Sequence, residues 1–295
     1  MNLDSSPRAR AALATAPPFL YALLLLALPL AAIVVVSFWR ESGGAFDPAP
    51  TLENYREVLT APIYLWGNET RWGTVPMSLF VAGLVTALTV LLGFPIAYFI
   101  SFHAEPSRKP LWLFLITIPF WTSYLIRIFL WRAILGQTGV VNTALQGLGI
   151  IDEPLGFLLY NVGAVIAALA HTYVVFAILP IYVALEKIDR SLLEAAQDLG
   201  ENRLLTFLRV TLPLAVPGIV GAVLIVFIPV VGDYVTPEFL YGAGGRLVSN
   251  VIQADFLQNG NWPRGAAAAI VTMALVGAIA ASFVLVTLRW TRGTR

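Results

Sequence analysis

Six long apolar runs, separated by more polar segments, organise this chain. They cover about residues 18–39, 76–102, 111–135, 159–185, 212–235 and 265–288. Each is long enough to cross about 30 Å of hydrocarbon, which takes about 20 helical residues. The runs are continuous and do not alternate, so they predict helices rather than barrel strands. The third run carries Arg127 and Arg132 in its second half, and the fifth is interrupted late by Asp233. Arg8 and Arg10 precede the first run. That run exceeds the roughly 7–15 apolar residues of a signal peptide, so a retained helix is expected.

The polar segments orient the runs. With the N-terminus inside, the inner segments carry Arg8, Arg10, Arg108, Lys109, Lys187, Arg190, Arg203, Arg209, Arg289, Arg292 and Arg295. The outer segments carry only Arg40, Arg56, Arg71, Arg246 and Arg264. This is a positive-inside bias, and six spans then put both termini in the cytoplasm. The expected organisation is a cytoplasmic N-terminus (residues 1–17), a six-span domain (18–290, core about 75–290) and a cytoplasmic tail (291–295). The outer segments 40–75 and 236–264 hold Tyr55, Tyr64, Trp66, Trp72 and Trp262, which suit headgroup anchoring or an extracytoplasmic partner. Asn68-Glu69-Thr70 fits a glycosylation sequon, a triplet too common to carry weight.

Composition agrees with the pattern. Apolar residues are 58% and charged residues 12% of the 295 positions, where soluble proteins average about 25% charged. The class is integral membrane protein. A net charge of +1 gives no reason to expect a nucleic-acid partner. With no cysteine, disulfides, thiolate metal sites and cysteine nucleophiles are excluded.

One polar segment is too long for a simple turn. Between the fourth and fifth runs lie the cytoplasmic residues 186–211, where neighbouring helices usually need about 2–8. Ser191-Leu192-Leu193-Glu194 reads as a capping box, and Gly200 suits a left-handed helix end. Leu192, Leu193, Ala196 and Leu199 fall on one face, with Glu194, Gln197 and Asp198 on another. The expectation is a stiff knob of two short helices, the second over about residues 201–208, hinged at Gly200. Ala195 and Ala196 would let a partner approach closely. Pro213 and Pro217 would then start the fifth span. The bland alternative is an amphipathic helix lying on the membrane surface.

The joint pattern is more specific: Glu194-Ala195-Ala196, Gly200, then Val210-Thr211-Leu212-Pro213. It resembles the EAA loop of type I permeases in binding-protein-dependent ABC importers. Val210 stands where that family usually has Ile, a conservative change. The resemblance implies an all-α integral membrane permease fold of six spans in the bacterial cytoplasmic (inner) membrane. Glu194, Ala195, Ala196, Asp198, Gly200, Leu212 and Pro213 would form the ATPase-coupling surface. It implies as partners two ATPase subunits, a second homologous permease and an extracytoplasmic solute-binding protein. No Gly-x-x-x-x-Gly-Lys-Ser/Thr loop occurs here, so ATP and Mg would sit on the ATPase, with no cofactor or metal on this chain. The segments at 119–142, 149–159, 179–200 and 256–267 resemble the polyamine branch, in particular the first permease of spermidine/putrescine systems. Other small organic solutes, such as amino-acid derivatives, opines or sugars, are the alternative cargo.

Ionisable and aromatic residues in the spans are the pathway candidates. Asp233 could favour a cationic substrate, and Tyr124, Trp131, Tyr173 and Tyr234 offer aromatic faces for ammonium groups. Each suits packing singly, as does His171. Trp121 belongs to the same set. Arg127 and Arg132 read as structural, Arg127 pairing with Asp233 or with carbonyls freed by a proline. Pro95, Pro119, Pro180 and Pro229 predict kinks. A secondary transporter would share the spans, but needs no EAA loop and often shows inverted repeats. An intramembrane enzyme or a channel would need constellations that are absent.

Overall fold

The computed structural model describes residues 7–43, 45–61, 73–242 and 246–293, with side chains from residue 15 to residue 289. Tyr64, Trp66, Arg71, Trp72 and the Asn68–Thr70 triplet lie outside the described residues, as do the side chains of Arg8, Arg10, Arg292 and Arg295. Among the described residues, six helical segments are long and apolar enough to cross a membrane: Thr15–Ser37, Thr74–His103, Tyr124–Gly147, Val162–Glu186, Arg203–Gly232 and Trp262–Arg289. The chain divides into two compact units, one of residues 1–61 and 252–273, the other of residues 62–251 and 274–295.

The first unit begins with α1 (Pro7–Ser37). Its most apolar 18-residue stretch has no buried residue, as suits a helix whose neighbours are lipid tails, and Ser37 at its end is the buried exception. A small antiparallel hairpin follows, β1 (Arg40–Ser42) with β2 (Ala45–Asp47). The helix α2 (Glu53–Thr60) then returns to the end of α1. Its buried Asn54 donates to the carbonyls of Ser37 at 2.9 Å and Trp39 at 2.7 Å. These carbonyls have no intrahelical partner, and the amide supplies one. The rest of this unit comes from residues 252–257 of α12 (Val248–Leu257) and 262–273 of α13 (Trp262–Gly293), whose remaining residues belong to the second unit. Within the first unit Arg264 holds the fully buried Asp255 with two nitrogens, at 2.5 and 3.1 Å, and reaches Glu57 at 3.0 Å.

The core of the second unit is three mutually packed helices: α3 (Thr74–Tyr98), α7 (Val162–Glu186) and α10 (Leu212–Gly232). Small residues allow the approach, as is usual between spans. A Cβ at Gly218 would stand 2.4 Å from the Ala184 Cβ and 2.6 Å from the Pro180 carbonyl. Buried Ser78 and Thr86 turn their hydroxyls onto carbonyls of the preceding turn, which removes a polar cost in an apolar core. Around this core lie α4 (Lys109–Thr117), α5 (Tyr124–Leu135), α6 (Val140–Gly147), α8 (Arg190–Asp198), α9 (Arg203–Thr206) and α11 (Val235–Leu240).

Two expectations are corrected here. The third run is not one helix over 111–135. After α4 a 3-10 turn (Ile118–Trp121) leads into extended backbone at Thr122 and Ser123, and the helix restarts at Tyr124. Pro119 removes an amide, and the Thr122 hydroxyl takes the Pro119 carbonyl at 2.8 Å; such side-chain bonds compete with the helix ladder. Nor is the segment after Gly200 a separate helix linked by proline to the fifth span. It runs without a break from Arg203 to Gly232 through a π turn (Phe207–Thr211). Pro213 has no amide to give the carbonyl of Arg209 and its ring would crowd it, and the π turn lies immediately before this proline. A second π turn (Phe99–His103) extends α3 beyond Pro95.

Candidate functional site

The knob expected at residues 186–211 forms around α8. Its N-cap is Asp189, whose carboxylate accepts from the Ser191 amide at 3.0 Å. The capping box at Ser191 and Glu194 is therefore corrected: the cap lies two residues earlier, at Asp189, and Ser191 is already inside the helix with its amide bonded to that carboxylate. That amide holds the Asp189 carboxyl below the usual carboxylate range. At the other end Gly200 has φ +89°, its amide bonds the Gln197 carbonyl at 2.9 Å, and the Glu201 amide bonds Ala196 at 3.1 Å. This pair of bonds is the Schellman stop, which needs the left-handed conformation that glycine adopts freely. Asn202 then caps the next helix by accepting from the Leu205 amide at 2.9 Å.

Glu194, Ala195, Gln197 and Asp198 face outward, whereas Ala196 is buried beneath α8. Ala196 thus lets the knob lie close on its own chain, against α9 and the π turn, and only Ala195 is open to a partner. The single apolar face is also corrected. Leu193 is half-buried, but Leu192, Leu199, Leu204 and Leu208 are exposed, Leu199 by 87%. Apolar side chains thus surround the acids on an outward surface. Leu212 and Pro213 are half-buried in the continuous helix. Beside the knob, an apolar groove of about 710 Å³ runs between α7 and α10, with Leu179, Val183, Leu192, Leu214, Pro217 and Ile225 among its walls.

At the far end of α10 the chain breaks at Asp233, which is 8% exposed. Its Oδ1 accepts the amides of Val235 and Thr236, each at 3.0 Å. Its Oδ2 accepts the hydroxyls of Thr236, at 2.9 Å, and Tyr124. The Tyr124 and Thr236 hydroxyls are 2.7 Å apart. Asp233 therefore starts α11 and ties it to α5. It does not pair with Arg127. That guanidinium is buried and donates to the Thr122 carbonyl at 3.1 Å, one of the groups exposed where the helix breaks after Pro119, while its Nε has no partner. Neither partner expected for Arg127 is found: Asp233 is not paired with it, and the carbonyl it meets belongs to Thr122 in the extended link, whereas the carbonyl whose helical amide Pro119 lacks is that of Leu115, four residues earlier. Arg132 lies over the Tyr160 ring, 5.9 Å from its centroid.

Trp131 donates to His171 Nδ1 at 3.4 Å, with the rings edge to face at 5.6 Å. Tyr173 leans on Phe176 at 5.8 Å and is half-buried. Tyr234 is exposed, as is Trp121 by 78%. Tyr124 and Asp233 thus meet directly, and Trp131 meets His171. No bond joins either pair to Tyr173 or Tyr234 among the described residues. Sequence reasoning missed Thr236, Ser249 and Asn250, which complete this corner: Ser249 donates to the Asp233 carbonyl at 2.7 Å and Asn250 to that of Tyr234 at 2.8 Å. Polar residues in an otherwise apolar stretch were the available signal. It also missed Lys109 and Glu186, whose Nζ and Oε1 lie 2.7 Å apart across 77 residues of sequence.

Residues 90–291 match the family model of the binding-protein-dependent transport system inner membrane component. The chain is 39% identical over 262 residues to a spermidine/putrescine transport system permease protein, PotB, of Haemophilus influenzae, covering 88% of each protein. To PotB of Escherichia coli K12 it is 36% identical over 251 residues, 85% of this chain and 88% of that one. Among solved structures, a bacterial ABC transporter importing the acidic polysaccharide alginate superposes with a TM-score of 0.68, 18% identity and 96% coverage of both chains. That likeness shows the type I permease fold. A separate ATPase and a binding protein come with the family as partners, and a secondary transporter is excluded. The chain belongs to the binding-protein-dependent inner membrane components: it is a multi-pass ABC importer permease of the inner membrane, a transport subunit rather than an enzyme.

Proposed function

We propose that this chain forms half of the translocation pathway for a polyamine of the spermidine or putrescine class. The carrying observation is its 36–39% identity to permeases named for those solutes, over 85–88% of its length. A second homologous permease forms the other half, and the open apolar groove between α7 and α10 is the kind of surface it would cover. Two ATPase subunits hold ATP and Mg and dock on the outward face of α8, through Glu194, Ala195 and Asp198 with the exposed leucines around them. Ala196, Gly200, Leu212 and Pro213 shape that surface from beneath. Closure of the ATPases moves α8, and the permease pair alternates between outward and inward openings.

The polyamine reading agrees with the aromatic side chains Trp131, Tyr173, Tyr234 and Tyr124, whose faces attract ammonium groups. The Asp233 charge stands behind Tyr124 and adds a favourable field rather than a direct ligand. One observation favours a second cargo. The buried Arg127 leaves its Nε without a partner, an arrangement suited to a solute that also carries a carboxylate, such as an amino-acid derivative.

ATP hydrolysis by the complex reconstituted with its binding protein separates the two. Spermidine or putrescine is expected to raise the rate, while sugars leave it at its basal level. No response to any polyamine, with a response to an amino-acid derivative, overturns the polyamine reading and leaves the importer class intact.

A further inference from the structure

Three chain segments end together at the cytoplasmic side of the second unit: the π turn that closes α3, the start of α4 and the end of α7. Lys109 donates to both carboxylate oxygens of Glu186, at 2.7 and 3.0 Å. Ser101, in the π turn, donates its hydroxyl to the same carboxylate at 3.1 Å. Lys109 is buried, although the adjacent Arg108 is exposed. A buried ammonium needs such a partner.

The cluster does not stop at the spans. Arg190, the first residue of α8, donates to the Ser101 carbonyl at 3.3 Å. Ser101 lies in the last turn of its helix, where carbonyls have no intrahelical amide and a cation is favoured. The knob is thus tied to α3, and through Glu186 to α7 and α4. A second tie lies at its other end. There Phe207, in the π turn before α10, presents an edge to Phe94 at 5.7 Å and to Tyr98 at 5.9 Å. Both ties involve π turns, which hold one extra residue per turn and often mark sites of functional movement.

We propose that the Lys109–Glu186 pair, with Ser101 and Arg190, is a positioning clamp that makes the ends of α3, α4 and α7 move with α8. The clamp rests on the reading that α8 carries the ATPase. It acts after docking: it converts displacement of the knob into displacement of three spans as one body. Without it α8 moves alone, and hydrolysis continues without solute movement.

The test uses the complete complex in proteoliposomes, with solute uptake and ATP hydrolysis measured on the same preparation and the ATPase followed by co-purification. Glu186→Gln is expected to retain the ATPase and its hydrolysis while solute moved per ATP falls about tenfold, within the usual span of coupling effects. The charge swap Lys109→Glu with Glu186→Lys is expected to recover most of that ratio. Arg190→Gln removes only the tie to Ser101 from an exposed position, so it keeps the test open if the Glu186 variant does not assemble; the same fall is expected. An unchanged ratio in Arg190→Gln or Glu186→Gln, or a swap that recovers nothing, overturns the clamp. Failure of the docking reading looks different: Glu194→Lys would then still co-purify the ATPase and transport normally.

Discussion

Asp233 illustrates how a residue in a span can be found by its sequence while its hydrogen-bond partners are not. Its charge near the end of an apolar run suggested a lure for a cation. The structure turns that carboxylate onto its own chain, where it accepts two amides and two hydroxyls. Part of this was legible. Asp233 followed by Val235-Thr236-Pro237-Glu238 is a helix start, with a capping acid and an acid in the first turn. The Tyr124 hydroxyl was not legible, because it arrives from 109 residues away in sequence. The distinction is measurable. Asp233→Ala leaves two amides and two hydroxyls short of an acceptor at a buried site, and should lower stability by about 1–3 kcal/mol. Asp233→Asn keeps an oxygen for the amides while removing the charge. If the acid is chiefly a cap, that variant should fold and raise the apparent KM for a polyamine by no more than about threefold, since only a distant field is lost. A much larger rise, with thermal stability unchanged, would make Asp233 a direct ligand.

At the scale of elements, the helices were legible wherever apolar periodicity is long and uninterrupted, and less so where a side chain competes with the backbone. Pro119 removes an amide from the helix ladder, and the Thr122 hydroxyl takes the Pro119 carbonyl in the turn that follows, so the third run splits there. The start of α8 was misplaced for a related reason. Ser191-x-x-Glu194 matches a capping box, yet Asp189 two residues earlier takes the cap. Gly200, by contrast, was read correctly, since a left-handed helix end demands glycine almost by itself. The cap makes a prediction about the knob. Asp189→Ala should fray the first turn of α8 and weaken ATPase retention, Asp189→Asn should preserve both, and Ser191→Ala should change little. The folded carboxyl of Asp189 lies below its usual range. Its stabilising effect is therefore complete above the ordinary carboxylate value and fades only as pH falls through the lower folded one. Hydrogen exchange of the α8 amides, corrected for intrinsic rate, should be flat between about pH 5 and pH 8. A loss of protection on falling from neutrality to about pH 5 would assign the control of α8 to another group.

For the whole molecule, the pattern of apolar runs determines how often the chain crosses the bilayer, and the distribution of Lys and Arg determines which way round it lies. Neither depends on a particular contact, which is why the number of spans was readable without a structure and why the orientation is expected from charge alone. What could not be read is how the ends of the spans are joined on one side, because Lys109, Glu186 and Arg190 meet only after the fold forms. The orientation still carries the functional argument, since a knob that receives an ATPase must face the cytoplasm. The chain contains no cysteine, so single substitutions report topology without background. Asn202, after the knob, and Asp152 and Gln258, in outer segments, are all exposed. A membrane-impermeant thiol reagent should label Asp152→Cys and Gln258→Cys in intact spheroplasts, and Asn202→Cys only after the membrane is opened. Labelling of Asn202→Cys in sealed spheroplasts would invert the molecule. It would place α8 on the side without ATP, and with it both the docking surface and the clamp that depends on it.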